Sequence, residues 1–435
     1  MHRQAGIFFH FLTVLGQQQH SPFFHGDQRL IGPPPKFANY LLQESLGLEI
    51  GRGIYPATIT ETGEERGGIR VTVGESTWIA TTFFSRFCDR RWVYPSPYFQ
   101  PEAFLEEVLR ELRRRTYEAL IPMEERTLLL LAQNRQEVEK YTRLPVHEEA
   151  FLDRARRKDE VLKLAETLGI PRPRTFFPRQ WEEVQDLLPE LPCPAVIKPR
   201  LGSGSTGVTY VRERKDLWPA FQRVHRHYPW PLIQEYIPPG GAAVGVSFLF
   251  SKDHEPLARF THQRIREYPI SGGPSTLRES IADPLVEKMA EKILRALNWF
   301  GVAMVEFRYD PRDGLPKLME INPRFWGSLP LAIYAGVDFP YWLFCLAMDW
   351  PIPEAQEYPL GKRCRWILPG DLLHFLKNPQ RFQMAPSFFR FFDKNTAHDF
   401  FSWSDPGPVL GRVMTLFTLL YDRDMQRLLK DRTRG

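Results

Sequence analysis

The sequence has few cysteines, no long apolar run and little excess of either charge. The four cysteines are far apart in the sequence, so they show neither the spacing of a metal-binding motif nor a pattern of disulfide bonds. They are Cys88, Cys193, Cys345 and Cys364. The most apolar stretch, residues 325–350, contains Asp338 and two prolines, which argues against a transmembrane helix. The whole chain has 57 Lys and Arg residues and 52 Asp and Glu residues, so its net charge is +5, which is too small to indicate a nucleic-acid partner. We therefore expect a cytoplasmic protein without a transmembrane segment or a nucleic-acid partner.

The composition is that of a globular protein. Hydrophobic residues make up 43% and charged residues 25% of the 435-residue chain, which excludes a collagen-like, coiled-coil or wholly disordered protein. At about 150 residues per domain, the length predicts two to three domains. From Gly67 onward, strand and helix signals alternate, which predicts the α/β (α+β) class. One helix is expected over residues 101–115, where the apolar residues share one face.

A glycine-rich loop follows a predicted strand that carries Lys198. The loop is Gly202, Ser203, Gly204, Ser205, Thr206 and Gly207. A strand-like segment follows it rather than a helix, which argues against a dinucleotide fold, and the lysine precedes the glycines, unlike in a protein kinase. A β-hairpin with a flexible tip fits better. Small residues let backbone N–H groups approach phosphate oxygens, so nucleotide binding and a plain mobile turn both stay open.

Two glutamates stand among apolar neighbours on consecutive predicted strands. Counting outward from the turn near Arg312 and Asp313 places Glu306 opposite, or one residue from, Glu320. Asn322 is two residues further and shares the sheet face of Glu320. Three oxygen ligands would then converge, as Mg²⁺ prefers. The alternative is a structural ion-pair site that uses Arg308 or Arg324.

Two segments carry a resemblance to a known family. VIKPRLGSGSTG and MEINPRFWGS, in this order along the chain, strongly resemble the ATP-grasp superfamily, in the branch of carbamoyl-phosphate synthetase and related carboxylate–amine ligases. The resemblance runs from about Gly67 to Trp350. It implies a pre-ATP-grasp α/β domain over 67–150 and an ATP-grasp domain over 151–350 with a lid at about 175–238. An unassigned extension, 1–66, and a helical C-terminal region, 351–435, would flank them.

The resemblance implies a bound nucleotide and the residues that hold it. Lys158 and Lys198 would contact the ATP phosphates from two sides, and the loop over 202–207 would close over the triphosphate. The adenine would meet a hinge formed by Glu235, Tyr236 and Ile237.

The same resemblance implies the metal and the reacting groups. Mg²⁺, or Mn²⁺ in its place, would be held by Glu306, Glu320 and Asn322. Arg324 would face the transferred phosphoryl group, with Arg266 as a second cation there. Two positions depart from the family pattern: Arg157 replaces an acidic residue before Lys158, and no acidic residue for the ribose follows the hinge.

The activity implied is an ATP-dependent ligase for small molecules. A carboxylate would attack the γ-phosphate to give an acyl phosphate, and an amine would displace phosphate to form an amide. A phosphotransferase on the same fold and a non-catalytic nucleotide-binding scaffold are the alternatives. The aromatic run Phe388–Phe392 is expected in a core or at a helix-docking face rather than as a membrane anchor. The basic C-terminus leaves peripheral membrane contact open, and a homodimer is one option for the assembly.

Overall fold

The computed structural model describes residues 58–60, 69–187, 189–202, 207–270, 272–352 and 357–421. These residues form a mixed α/β structure with three sheets, which confirms the predicted fold class. The loop residues Ser203, Gly204, Ser205 and Thr206 lie outside the described residues, as do most of the first 66 residues and the basic tail after Tyr421. No helix in the described ranges is long and apolar enough to cross a membrane.

The first sheet has three short strands. They are β1 (Thr58–Thr60), β2 (Arg70–Glu75) and β3 (Arg90–Val93), with β2 antiparallel to β1 and parallel to β3. The pairing of β1 with β2 crosses the boundary predicted at residue 66. A three-residue strand is too short to show a period of two in the sequence.

Among the described residues, five α-helices lie between the first sheet and the second. They are α1 (Pro101–Arg114), α2 (Glu125–Gln133), α3 (Arg135–Val138), α4 (Glu149–Arg156) and α5 (Lys158–Thr167). The predicted helix over 101–115 is confirmed: it begins at Pro101 and buries Phe104, Val108 and Leu112 on one face. Helices α4 and α5 meet at Arg157, so Lys158 stands at the start of a helix.

The second sheet, called the small sheet below, has the strand order β4-β7-β5-β6. Its elements are β4 (Thr175–Phe176), α6 (Trp181–Leu187), β5 (Ala195–Lys198), β6 (Thr209–Val211), α7 (Leu217–His225) and β7 (Leu232–Glu235). It has a core of its own, which includes Val184, Ile197, Phe221 and Ile233. The glycine loop joins β5 to β6, which pair antiparallel as the sequence predicts.

The third sheet, called the large sheet below, has the order β12-β11-β8-β9-β10-β13-β14 within the described residues. Its first part consists of β8 (Ala243–Phe250), β9 (Pro256–Glu267), β10 (Ser275–Ser280), α8 (Pro284–Ala296), β11 (Gly301–Tyr309) and β12 (Pro316–Asn322). Helix α8 begins with a capping residue and a proline: the Asp283 side chain accepts a hydrogen bond from Val286 N, and Pro284 occupies the first turn.

The C-terminal region is not purely helical, contrary to the sequence prediction. Helices α9 (Leu329–Tyr334) and α10 (Phe339–Ala347) precede the region predicted over 351–435. The region itself comprises β13 (Arg363–Arg365), a helical turn (Ile367–Asp371), α11 (Leu372–Lys377), β14 (Thr396–His398) and α12 (Gly407–Tyr421). Strand β13 pairs with β10, and β14 runs parallel to β13, so the region extends the large sheet. The sequence of β13, Arg-Cys-Arg, lacks apolar alternation because its arginines enter ion pairs.

Buried ion pairs attach this region to the large sheet. Asp371 is fully buried and accepts hydrogen bonds from Arg266 Nη2 at 3.0 Å and from Arg365 Nε at 2.5 Å. Thr276 on β10 donates to the same carboxylate at 3.1 Å. Two guanidinium groups thus share one carboxylate, and the removal of that carboxylate would leave both buried cations without their common anion.

We therefore expect Asp371→Asn to destabilise the protein by about 3 kcal/mol or more, because it uncouples two buried cations. Urea unfolding measures the loss. The control is Glu213→Gln, which removes an exposed ion pair with Lys215, 2.6 Å long. The control should leave the unfolding midpoint unchanged, because exposed pairs contribute little. Equal midpoints for the two variants would contradict the role of Asp371.

Candidate active site

The acidic pair, Glu306 and Glu320, lies side by side on neighbouring strands. The register of β11 and β12 places Glu306 directly opposite Glu320 and Met304 opposite Asn322, as the residue count around the turn predicts. The Asn322 amide nitrogen donates to Glu306 Oε1 at 3.2 Å. Cross-strand partners lie on one face of a sheet, so two carboxylates and one amide converge there.

Each carboxylate of the acidic pair has its own cation. The Arg264 guanidinium of β9 donates to Glu306, and the Lys158 ammonium lies 3.1 Å from Glu320 Oε2. Burial raises the pKa of Glu306 above its ordinary value, and Arg264 only partly offsets this effect. Burial also opposes ionisation of Glu320, yet Lys158, Lys198 and Arg264 together lower the pKa of Glu320. The two glutamates therefore differ in how readily they ionise.

Lys198 approaches the same place from the small sheet. Its ammonium donates to Gln234 Oε1 at 2.6 Å, and the Gln234 amide donates in turn to Thr175 Oγ1 at 2.9 Å. Burial lowers the pKa of Lys198 from 10.5 to about 8, with Glu320 opposing and Lys158 assisting the shift. Gln234 is a site residue that the sequence analysis missed, although it stands next to the predicted hinge.

Lys158 connects the acidic pair to the beginning of the glycine loop. Its backbone N–H donates to Arg200 O at 2.9 Å, and its ammonium donates to Gly202 O at 2.5 Å. The next residue, Asp159, is fully buried and accepts from Arg200 at 2.7 Å. Burial opposes ionisation of Asp159, but Arg200 and Arg157 together lower its pKa. The Asp159–Arg200 pair, which the sequence analysis also missed, holds the start of α5 against the end of β5.

The predicted hinge lies where the small sheet joins the large one. The Glu235 backbone N–H donates to Arg174 O at 2.9 Å, and the Tyr236 N–H donates to Pro194 O at 3.1 Å. The Glu235 carboxylate accepts from Arg312 at 3.0 Å, across from the turn between β11 and β12. Ile237 is buried. These bonds fix the connecting segment to both sheets.

The structure brings one of the two predicted arginines toward the acidic pair. Arg324 lies close enough for its charge to help lower the pKa of Glu306, against the larger effect of burial. The Arg324 guanidinium donates to Phe325 O at 2.7 Å, with its Nε 4.0 Å from Glu125 Oε2.

Arg266, the second predicted arginine, does not lie at the acidic pair. Its guanidinium binds Asp371 and donates to Pro386 O at 2.7 Å. Arg264 takes the expected place. A β-bulge explains the difference. Arg264 pairs with Arg278 and Arg266 pairs with Leu277, so β9 has one more residue than β10 between these two pairs. The bulge breaks the alternation that would otherwise put both arginines on one face.

The donor set of the acidic pair suits a hard divalent cation. Within the described ranges, no group of three or more His, Cys, Asp or Glu side chains could hold a metal ion. A cation here would therefore rest on two carboxylates and the Asn322 amide, and would share the carboxylates with Arg264 and Lys158. Mg²⁺ usually binds to a few protein oxygen atoms and completes its coordination with water and phosphate, whereas Zn²⁺ prefers nitrogen and sulfur ligands.

Comparisons with known proteins identify the domain that carries this site. Residues 158–328 match the family model of the ATP-grasp domain. The C-terminal section of the carbamoyl phosphate synthase large chain of Methanopyrus kandleri is 24% identical over 197 residues, 43% of this chain and 36% of the relative. D-alanine–D-alanine ligase of Gloeobacter violaceus is 27% identical over 192 residues, 39% of this chain and 61% of the relative.

A solved structure shares the fold. The biotin carboxylase domain of the Hydrogenobacter thermophilus 2-oxoglutarate carboxylase, which was solved with MgADP and bicarbonate, has a TM-score of 0.54 and 15% identity over 65% of each chain. The chain thus contains an ATP-grasp domain, and the resemblance stated from its motifs is confirmed. The chain spans about a third of the length of the carbamoyl phosphate synthase section, so the likeness is to a domain rather than to a whole enzyme.

The position of Lys198 between Glu320 and Lys158 leads to a titration test. We expect its ammonium to titrate near pH 8, and we expect Glu320→Gln to lower the midpoint further, because the variant removes the anion that favours the charged lysine. NMR of carbon-labelled lysine side chains measures both, with the signal assigned by its loss in Lys198→Arg. Glu255→Gln, at an exposed ion pair with Arg295, is the control. An unchanged or raised midpoint in Glu320→Gln would contradict the arrangement.

Proposed function

We propose that the protein is an ATP-dependent ligase that joins a carboxylate to an amine through an acyl phosphate and releases ADP and phosphate. One observation carries the proposal. Lys158, Lys198 and the acidic pair come from four separate elements and meet at one point, beside a glycine-rich hairpin. An ATP-grasp domain spans this point, and its relatives include ATP-dependent ligases.

The lysines are proposed to bind the phosphates of ATP. Lys198 lies on β5 and Lys158 at the start of α5, so they would approach the triphosphate from two sides. The loop over 202–207 would supply backbone N–H groups to the phosphate oxygens. The contact of Lys158 with Gly202 O, 2.5 Å long, supports this assignment because it already joins the first lysine to the loop. The adenine would occupy the hinge formed by Glu235, Tyr236 and Ile237.

The acidic pair and Asn322 are proposed to hold Mg²⁺. The chemistry that the ion supplies when bound is neutralisation of phosphate charge and alignment of the γ-phosphoryl group. The raised pKa of Glu306, caused first by burial and then by its neighbour Glu320, supports the assignment. Two adjacent buried carboxylates are costly unless cations accompany them, so the site favours a cationic ligand.

Two arginines are proposed to face the transferred phosphoryl group and the acyl phosphate. Arg324 keeps the role that the family resemblance implies, and Arg264 replaces Arg266 as the second cation. Guanidinium groups aimed at developing negative charge stabilise a transition state without rearrangement at the moment of reaction. An acyl phosphate is lost to hydrolysis when water reaches it, so closure of the small sheet over the site would protect the intermediate. No protein nucleophile is needed for this reaction.

The reaction class is tested by a screen of paired carboxylates and amines for stimulated ADP formation, with mass spectrometry of the products. We expect at least one pair to stimulate ADP release and to yield an amide of matching mass. A stable phosphorylated product that forms without an amine would indicate a phosphotransferase. No stimulation by any pair would favour a nucleotide-binding scaffold.

The acidic pair gives a second test. We expect Glu320→Gln to reduce ATP turnover by about 100-fold or more while the protein stays folded, because the variant removes one charged oxygen ligand from the phosphate site. The control, Glu255→Gln, alters an exposed carboxylate at the turn between β8 and β9 and should retain full turnover. ADP release in Glu320→Gln that matches the control would exclude the metal assignment.

A further inference from the structure

The aromatic run Phe388–Phe392 is divided between the core and the surface. Phe388 is buried, and the Arg365 guanidinium lies over its ring at 4.7 Å. By contrast, Phe389 is 59% exposed and Phe392 is 84% exposed. The expectation that this run lies in a core or at a docking face therefore holds for only part of it. Two of its rings face solvent.

Further apolar side chains adjoin the exposed ring of Phe389. The Phe375 ring centre lies 5.6 Å from that of Phe382 and 5.4 Å from that of Phe389, so these three rings form one cluster. Phe382 is 75% exposed, and Leu376, in the helix that carries Phe375, is 53% exposed. Contiguous exposed side chains of this size mark interaction sites rather than ordinary surface.

Basic residues are interleaved with the exposed rings. Between residues 372 and 398 the sequence has one acidic residue, Asp393, and four basic ones, which are Lys377, Arg381, Arg390 and Lys394. All four basic residues are exposed. The Arg381 guanidinium lies over the Phe382 ring at 5.5 Å and donates to Leu376 O at 3.2 Å. We call this combination of exposed apolar and basic side chains, residues 376–394, the aromatic–basic surface.

We infer that the aromatic–basic surface docks on an anionic phospholipid bilayer. Aromatic side chains insert at the level of the lipid headgroups, and Lys and Arg beside them bind anionic lipids. The Arg381–Phe382 pair combines both properties, because its ring is apolar and its guanidinium is exposed, with donors beyond the one that bonds Leu376 O. This contact needs no helix that spans the bilayer. It would place the ligase at the membrane surface without involving the acidic pair.

The charge of the surface favours lipid over a second copy of the chain. In a symmetric dimer the same patch meets itself, so four basic side chains would face four others across the interface. An anionic bilayer instead offers opposite charge across the whole patch. Single-stranded RNA is also anionic, but the Arg381 guanidinium already covers a face of the Phe382 ring on which a base would stack.

Flotation of the full chain with vesicles tests the inference. We expect binding to vesicles of equal phosphatidylglycerol and phosphatidylcholine, little binding to phosphatidylcholine alone, and weaker binding at roughly 0.5 M than at 0.1 M salt. The double variants Phe382→Ser/Phe392→Ser and Arg381→Glu/Lys394→Glu should each reduce the partition coefficient by about tenfold or more. Both pairs of substitutions are at exposed positions, so circular dichroism and ATP turnover should stay unchanged.

Two control variants test whether the loss of vesicle binding is specific to the aromatic–basic surface. Trp78→Ser removes an equally exposed aromatic ring elsewhere, and Lys140→Glu reverses an exposed charge in the helical part of the chain. Both controls should float as the unmodified protein does. The inference is overturned if the protein does not float, or if the patch variants float as the controls do. It is also overturned if the patch variants instead abolish a dimer seen by sedimentation or binding to single-stranded RNA.

Discussion

Two partly buried carboxylates on neighbouring strands impose the main constraint on this structure. Glu306 and Glu320 are directly paired across β11 and β12, where their mutual repulsion and loss of hydration would destabilise the sheet. Cations from three elements offset this repulsion and loss of hydration. They are Arg264 from β9, Lys158 from α5 and Lys198 from the small sheet. The arrangement of helices and sheets around the site follows from the need to bring these charges together.

The same electrostatic requirement connects the small sheet to the rest of the chain. Lys158 binds Glu320 and also the start of the glycine loop, while Arg200 reaches from the end of β5 to Asp159 in α5. On the other side, Arg312 joins the turn of the large sheet to Glu235 at the hinge. These contacts place the proposed phosphate site at the junction of two sheets.

The motifs predicted much of the site, and tertiary details decided the rest. The register of Glu306 and Glu320 follows from a hairpin count, and the β5–β6 hairpin follows from a strand, a glycine loop and a second strand. Arg264 was missed in favour of Arg266 because a bulge in β9 exchanges their faces, and a bulge leaves no mark on apolar alternation. The strand β13 was missed because its arginines are held by ion pairs, Arg363 with Glu279 of β10 and the buried Arg365 with Asp371. Hydropathy does not report such pairs.

The sequence by itself determined the local elements and the chemistry of the side chains. Alternation, glycine placement and residue type depend on neighbours in the chain, so they can be read without the fold. Only the tertiary structure decided which charges meet, since Lys158, Lys198 and Glu320 are far apart in sequence. It also separated the buried Phe388 from the exposed Phe389 and Phe392. Burial depends on what packs against a side chain from distant segments, and that information lies in the fold alone.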